Sequence, residues 1–281
     1  MEQAMTNVTH HYLRIKKKFP NVWCPGCGIG IAFGAIIRAV DDLKLPQDEV
    51  CMVSGIGCSS RMPVYVDFNT LHTTHGRPLA FATGVKFAKP ELNVMVITGD
   101  GDGLAIGGNH FIHACRRNID VTTILINNNT YGMTGGQLSP STPYEKRATT
   151  APYGNVERGF DPCDLAKSAG AVFVARGTVY HVVQLQKLIK QAILKKGFSL
   201  VEVISQCPTI YGRLNREGDA VEMMKWQKEH AVSVEAARKT PPDKLKDKFL
   251  TGVLWDIEFP EYIEEYEKVI KRSQGEKPKE P

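Results

Sequence analysis

GDGDGLAIGGNHFIHACRRNIDVTTILINN, residues 99–128, is the stretch that decides the fold. It follows a short, β-branched apolar run at 93–98 and contains a second such run at 121–126. Short apolar runs that stop at glycine or polar clusters are typical of buried parallel strands. Residues 104–117 can form a helix between them. The stretch therefore predicts two neighbouring parallel strands joined by a helix in a right-handed crossover.

Two polar side chains follow the ends of these strands. Asp100 comes directly after the first and Asn128 directly after the second, which is where open α/β sheets bind their ligands. One carboxylate and one amide oxygen suit Mg²⁺, which completes its oxygen shell with water and phosphates. The glycines around Asp100 allow close approach of a diphosphate, and the helix N-terminus favours an anion. An ordinary acidic turn is the alternative, but the Asn127–Asn128 pair at this spacing favours a magnesium–diphosphate site.

Short apolar runs alternate with helical segments along the rest of the chain, and this pattern predicts an α/β protein with a mostly parallel sheet. Its 281 residues are enough for one substantial core. Strands are expected near 50–54, 93–98, 121–126, 171–174 and 198–204, and helices near 29–40, 78–88, 104–117, 180–195 and 219–236.

Seven scattered cysteines, an odd number without an apolar signal segment, predict a cytoplasmic protein without disulfides. Cys24 and Cys27 form a C-x-x-C motif in a glycine-rich turn, which suits a redox dithiol, half a zinc site or half an iron–sulfur site. Cys58 and Cys207 each follow a predicted strand and are expected at the same sheet edge as Asp100. Four thiolates suit zinc and a 4Fe-4S cluster equally. The other three are expected to be buried packing residues, namely Cys51, Cys115 and Cys163.

Six segments, in order, resemble the β subunits of two-subunit 2-oxoacid:ferredoxin oxidoreductases over about residues 23–207. They are WCPGCG at 23–28, GIGCSSR at 55–61, HTTHGR at 72–77, GDGDG at 99–103, NNNTYGMTGGQ at 127–137 and CP at 207–208. The resemblance implies the diphosphate-domain fold of thiamine diphosphate enzymes, with helices on both faces of the sheet. It also implies three bound groups: thiamine diphosphate, Mg²⁺ and one 4Fe-4S cluster.

The resemblance assigns residues to these groups. The Mg²⁺ ligands would be Asp100, Asn128 and the carbonyl of Thr130, and the cluster ligands would be Cys24, Cys27, Cys58 and Cys207. The thiamine diphosphate would be lined by Ile56, Gly57, Cys58, Ser59, His75, Gly99, Gly101, Asp102, Gly132 and Met133.

Three assignments have alternatives. Asp102 could support the site from behind instead, because only 23 residues separate its own Gly-Asp-Gly motif from Asn127. Arg61 is a candidate catalytic residue, since a guanidinium can hold a substrate carboxylate through two hydrogen bonds, but it could equally form a structural ion pair. His75, the second catalytic candidate, would contact the cofactor, or it could be a capping or loop histidine.

The implied reaction is the coenzyme A-dependent oxidative decarboxylation of a 2-oxo acid to acyl-CoA and CO₂. Electrons would pass through the cluster to ferredoxin, and the reaction could run in reverse as a carboxylation. We favour 2-oxoglutarate over pyruvate, branched 2-oxo acids and indolepyruvate. A thiamine-dependent lyase would leave the four cysteines unexplained. A cluster-bearing electron carrier would leave Asp100 and Asn128 without a role.

The implied partner is an α subunit in an αβ or (αβ)₂ assembly. No residue resembles the glutamate that activates the aminopyrimidine ring, so we expect it to come from the α subunit's pyrimidine-binding domain, and we expect this chain alone to be inactive. We predict a cofactor-binding α/β domain at 1–236 and a C-terminal arm at 237–281, docked on the core or on a partner and closing in a disordered tail.

The charge pattern and the N-terminal segment exclude other classes of partner. The net charge of +5, with basic and acidic residues interspersed, gives little support for nucleic-acid binding. A mild positive charge is compatible with acidic substrates, coenzyme A or an acidic ferredoxin. The first 20 residues are too short and too charged to span a membrane.

Overall fold

One sheet with helices on both faces dominates the computed structural model, which describes residues 8–15 and 20–275. Its strands are β1 Val50–Ser54, β2 Asn69–His72, β3 Asn93–Gly99, β4 Thr122–Asn127, β5 Phe173–Thr178, β6 Ser199–Ile204, β7 Ala231–Ser233 and β8 Phe249–Asp256. The α-helices are α1 Val8–His11, α2 Ile29–Asp42, α3 Pro78–Ala88, α4 Gly108–Arg116, α5 Pro162–Ala169, α6 Val182–Leu194, α7 Arg213–Asn215, α8 Ala220–His230, α9 Val234–Ala237 and α10 Tyr262–Ser273.

The strands lie in the order β2-β1-β3-β4-β6-β5-β8-β7. The first six in this order are parallel to one another, and β8 runs antiparallel to β5. The mostly parallel α/β fold is therefore confirmed. β3 and β4 are neighbours, with Gly99 opposite Ile126, so the residues that follow them meet at one edge.

Two apolar layers attach the helices to the sheet. On one face Ile36 of α2 and Ile189 of α6 are fully buried, and on the other face Leu79 of α3 and Phe111 of α4 are buried. Successive residues of β3 alternate between the two layers. Burial on both faces explains why the central strands are continuously apolar rather than alternating.

The predicted helix at 104–117 begins differently from expectation. A π-helical turn spans Gly101–Ile106, and α4 follows it from Gly108. A Cβ atom on Gly107 would clash with the carbonyl oxygen of Asp102, so the junction requires glycine. The predicted helix at 219–236 also divides, because α8 ends at His230 and β7 and α9 follow it.

Helix α5 has local signals at both ends. The Asp161 side chain accepts hydrogen bonds from the backbone N–H groups of Cys163 and Asp164, and Pro162 occupies the first helical position. Gly170 ends the helix with a φ of +101°. These signals fix α5 beside β5.

The C-terminal segment joins the main sheet through β8. Helix α10 packs its Tyr262 and Tyr266 rings against Phe87 of α3, and the Lys167 ammonium lies 4.6 Å from the centre of the Trp255 ring. The division at 236/237 stays a prediction. Most of the tail predicted to be disordered, from residue 276 onward, lies outside the described residues.

Within the described ranges, none of the helices has the length and apolar character needed to cross a membrane.

Candidate active site

The loops that follow β1, β3, β4 and β6 converge at the carboxyl edge of the sheet. The chain leaves β1 toward β2 on one side and leaves β3 toward β4 on the other, so the crevice between β1 and β3 is a topological switch point, where such sheets bind ligands. A cavity opens there. Its lining includes every residue predicted for the cofactor and for Mg²⁺, together with Ile29, Ile126, Tyr131 and Thr134. The structure thus brings these residues together, while their individual roles remain predictions.

Asp100 is the buried carboxylate of this cavity. Its Oδ2 accepts hydrogen bonds from Ser139 Oγ at 2.5 Å and Ser141 Oγ at 2.6 Å. Burial raises the pKa of Asp100 to about 6, although the two hydroxyl groups act in the opposite direction. No Lys, Arg or His side chain among the described residues forms an ion pair with it. A buried carboxylate without a cationic side-chain partner fits a bound divalent cation.

Ser139 and Ser141 were not identified from the sequence. They belong to the loop that follows Asn128, where LSPSTP shows only small polar residues and proline. No spacing rule connects this loop to Asp100, because the contact spans 39 to 41 residues.

Asp102 holds two neighbouring loops. Its Oδ1 accepts hydrogen bonds from the backbone N–H groups of Ile56 and Gly76. The same oxygen lies 2.6 Å from the ring nitrogen Nδ1 of His75, which also donates to it. Its Oδ2 accepts from Thr98 Oγ1 at 2.7 Å. Because these hydrogen bonds all come from the protein, they favour the interpretation in which Asp102 supports the cavity from behind.

His75 joins this support to the cavity wall. Since a carboxylate only accepts hydrogen bonds, Nδ1 of His75 carries the proton. The ring packs edge-on against Tyr131, with 6.0 Å between ring centres, and the side chain is 34% exposed. Tyr131 in turn donates its hydroxyl to the Gly101 carbonyl.

The four predicted cluster cysteines line a second cavity that adjoins the first. Both cavities share Ile29, Cys58, Asn128, Gly132 and Met133. A Cβ atom on Gly132 would lie 3.4 Å from Cys58 Sγ and 3.8 Å from Cys207 Sγ, so the backbone of this glycine faces both sulfur atoms. All four cysteines are free thiols in this structure.

Burial raises the pKa of three of these thiols. It raises the pKa of Cys27 to about 12 and that of Cys58 to about 11, and it also raises the pKa of Cys207. Neighbouring thiolates act in the same direction. The backbone N–H groups of Ile210 and Tyr211 donate hydrogen bonds to Cys207 and act to lower its pKa. A metal centre would supply the positive charge that stabilises all four thiolates.

The spacing of the sulfur atoms bears on which metal fits. No three of these four sulfurs lie within 4.8 Å of one another. A tetrahedral zinc ion with Zn–S bonds of about 2.3 Å would bring them to roughly 3.8 Å. An iron–sulfur cluster binds each cysteine to a different iron atom and spreads the thiolates further apart. Four thiols around one cavity suit a metal centre, and the identity of the metal stays a prediction.

Three chain segments meet at this cysteine site through side-chain hydrogen bonds. Trp23 Nε1 donates to the Cys58 carbonyl at 2.8 Å. Gln206 Nε2 donates to the Gly26 carbonyl at 2.9 Å, and Gln227 Nε2 donates to Gln206 Oε1. These bonds connect the C-x-x-C turn to the loops of Cys58 and Cys207.

Arg61 stands apart from both cavities. It lies on the short 3₁₀ helix Ser59–Val64, half-buried, and does not line either cavity. Its side chain makes no hydrogen bond or ion pair with any described residue. Its role in holding a substrate carboxylate therefore stays a prediction.

The three remaining cysteines are buried, as expected, at Cys51, Cys115 and Cys163. Cys163 also forms a compact group with Asp161 and Glu202, whose ligand atoms lie within 4.8 Å. Arg176 pairs with both carboxylates of this group. The guanidinium already supplies the cation that a metal would provide.

Known proteins resemble this chain in sequence. Residues 55–203 match the model of the family described as thiamine pyrophosphate enzyme, C-terminal TPP binding domain. The 2-oxoglutarate synthase subunit KorB of Methanocaldococcus jannaschii is 51% identical over 265 residues, which cover 94% of this chain and 98% of that protein. The subunit of the same name from Archaeoglobus fulgidus is 58% identical over 198 residues, covering 70% and 73%.

A solved structure has a similar fold. The 2-oxoglutarate:ferredoxin oxidoreductase from Magnetococcus marinus, with 2-oxoglutarate, coenzyme A and succinyl-CoA bound, superposes with a TM-score of 0.84. The two sequences are 33% identical, and the match covers 97% of this chain and 92% of that one.

Proposed function

Because this chain belongs to the β subunits of the 2-oxoacid:ferredoxin oxidoreductases, we propose that it acts with an α subunit in the oxidative decarboxylation of 2-oxoglutarate to succinyl-CoA and CO₂. The observation that carries the proposal is the single sheet edge where a diphosphate-type cavity adjoins four cysteines. The predicted family and reaction class are confirmed by the names of relatives that match over nearly the full chain. Those names also favour 2-oxoglutarate over pyruvate or branched 2-oxo acids.

The thiamine diphosphate-binding domain follows from the family match. Within it, Asp100, Asn128 and the Thr130 carbonyl hold Mg²⁺, which anchors the diphosphate. When bound, thiamine diphosphate supplies the carbanion and the electron sink needed for decarboxylation. The glycines at 99 and 101 let the backbone approach the cofactor. The protein's contribution is to orient the cofactor and keep its charged end in a buried site.

The four cysteines Cys24, Cys27, Cys58 and Cys207 hold a 4Fe-4S cluster. Support comes from the four thiols that line one cavity and from Cys58, which lies on the walls of both cavities. Such a cluster, if held there, would supply one-electron transfer between the cofactor site and ferredoxin. A thiamine-dependent lyase without redox chemistry would have no use for four cysteines at this place.

The α subunit completes the site. None of the described residues that line the first cavity is a glutamate, and we assign the activating carboxylate to the α subunit. Two apolar side chains beside the cavity are also exposed, Met133 at 46% and Ile106 at 50%. A covering subunit would bury them. We also propose that the complex uses coenzyme A and ferredoxin and assembles as αβ or (αβ)₂.

Anaerobic purification of the chain with its α subunit tests the proposal. We expect about four iron atoms per chain, bound thiamine diphosphate and Mg²⁺, and reduction of a viologen dye that depends on 2-oxoglutarate and coenzyme A. Pyruvate serves as the control substrate and should be much slower. Zinc in place of iron would remove the redox half of the proposal. A complex that reduces the dye with no 2-oxo acid would overturn it.

A further inference from the structure

We infer that Glu202, acting through Asn127, positions the turn that presents Asn128 and Thr130 to the metal. The inference rests on the proposed function, since it concerns the same magnesium–diphosphate site. Asn127 ends β4 and Glu202 lies in the neighbouring strand β6. Neither residue lines the cofactor cavity; both line a separate open groove.

Glu202 is a fully buried carboxylate with three donors. Its Oε1 accepts a hydrogen bond from Asn127 Nδ2 at 2.7 Å. Its Oε2 accepts from Arg176 Nε at 2.5 Å and from the thiol of Cys163 at 3.2 Å. Burial keeps that thiol neutral by raising its pKa. The Arg176 guanidinium compensates the buried carboxylate, which accepts all three hydrogen bonds.

This carboxylate determines which way the Asn127 amide points. Because Glu202 only accepts, the NH₂ group of Asn127 must face it. The amide oxygen of Asn127 then faces the next turn and accepts the backbone N–H of Asn129 at 3.2 Å. Asn129 has a φ of +59°, in the left-handed region that asparagine tolerates better than most residues. The hydrogen bond thus holds a turn whose backbone is intrinsically uncommon.

The turn places the two candidate ligands. Asn128 and Thr130 flank Asn129 and lie on the cavity wall that contains Asp100. Thr142 Oγ1 donates to the Asn129 carbonyl at 2.8 Å and holds the turn from its other side. If the Asn127 amide turned over, its NH₂ group would face the N–H of Asn129 and this hydrogen bond would be lost. Glu202 and Asn127 are therefore positioning residues for the metal site.

The test uses Glu202→Gln in the complex of this chain with its α subunit. Glutamine keeps the shape of the side chain but introduces an NH₂ group, so the orientation of Asn127 is no longer enforced. We expect the Mg²⁺ concentration that half-saturates thiamine diphosphate binding to rise about tenfold or more, as is typical when a residue that orients a metal ligand is lost. Iron content and the visible absorption of the cluster should not change. Cys163→Ala is the matched control, because it removes a donor to the same carboxylate without contacting Asn127.

Asn127→Leu provides an independent variant if Glu202→Gln fails to fold. It leaves the Glu202–Arg176 pair intact and removes only the link to the turn, so it should weaken Mg²⁺ binding to the same extent. An unchanged half-saturating concentration in a folded variant would overturn the inference. A wild-type complex that binds no magnesium–thiamine diphosphate would overturn the proposed function instead, so the two failures are distinguishable.

Discussion

Asp100 combines two properties that rarely occur together, a fully buried carboxylate and only neutral hydrogen-bond donors. Burial raises its pKa to about 6 from the usual 3.8. In the metal-free protein the folded chain therefore binds more protons than the unfolded chain between about pH 4 and 6. By linkage, the stability of the metal-free protein falls as the pH rises through this window. A bound cation would stabilise the ionised carboxylate and so remove this loss of stability.

This linkage predicts the pH dependence of metal binding. Because Mg²⁺ must displace the proton of Asp100, its affinity should fall by about tenfold for each pH unit below 6 and level off above it. Titrations of magnesium-dependent thiamine diphosphate binding at several pH values between 5 and 8 would measure this. Asp100→Ala should abolish magnesium-dependent retention of the cofactor and leave the iron content intact. If retention survived this change, Asp100 would not be a ligand.

Two alanine variants of buried or cavity-lining cysteines can be compared with each other. Cys207→Ala should remove most of the iron while magnesium-dependent cofactor binding persists, because Cys207 faces the second cavity and does not line the first. Cys115→Ala is the control, since Cys115 is buried between helix and sheet and contacts neither cavity. It should retain full iron content. Equal iron in the two variants would contradict the four-cysteine assignment.

Whether a site residue can be predicted from the sequence depends on how far along the chain it lies from the residues that it contacts. Asp100, Asn128 and the cysteines come directly after strands or form short motifs, so local pattern and strand order were enough to place them at one edge. Ser139, Ser141 and Glu202 contact the site across 39 to 75 residues. Their roles depend on tertiary packing, for which a single sequence offers no spacing rule.

At the scale of elements, the π turn between β3 and α4 carries both Asp102 and Gly101, which line the first cavity. Gly107 closes this turn, and any side chain there would clash with the Asp102 carbonyl. A π turn is rare and is frequently found at functional sites. Its geometry is therefore maintained by the close packing around it.

Gly107→Ala should disturb this turn. The clash is with backbone rather than with a flexible side chain, so the turn must shift and carry Asp102 with it. We expect a lower melting temperature and at least about tenfold weaker cofactor binding, as for other losses of supporting contacts. Gly108→Ala is the neighbouring control, because a Cβ there meets nothing within 4 Å, and alanine is favoured in a helix by about 0.5–1 kcal/mol. Thermal unfolding and cofactor titration of both variants would check this.

Local pattern explains which elements were predictable. The strands β1, β3, β4 and β6 are buried on both faces, so their continuous apolar runs were recognised within a residue or two. β2 is short and mostly accessible, and its sequence NTLH has no apolar run. β8 lies in a segment whose charged flanks indicated an arm, yet it pairs with β5. The π turn was missed because apolar periodicity does not distinguish it from α-helix.

At the scale of the whole molecule, the parallel sheet explains why two unlike centres adjoin. Each crossover returns the chain to the opposite edge, so all the loops after parallel strands collect on one side. Two of the four strands at this edge, β3 and β4, lead to the candidate oxygen ligands, and the other two, β1 and β6, lead to cysteines. The order β1-β3-β4-β6 therefore encloses the oxygen donors between sulfur donors.

The proposal that the α subunit completes this edge gives a prediction for the assembly. The described wall of the first cavity contains no glutamate, so the isolated chain should bind iron but should not activate the thiazolium carbon of thiamine diphosphate. Hydrogen–deuterium exchange at that carbon, followed by NMR, should proceed no faster with the isolated chain than with free cofactor. Adding the α subunit should accelerate it by orders of magnitude, since general-base assistance alone contributes roughly 10²–10⁴-fold. Asp100→Ala in the complex is the control and should abolish the acceleration. Fast exchange in the isolated chain would mean that the activating group lies within this sequence.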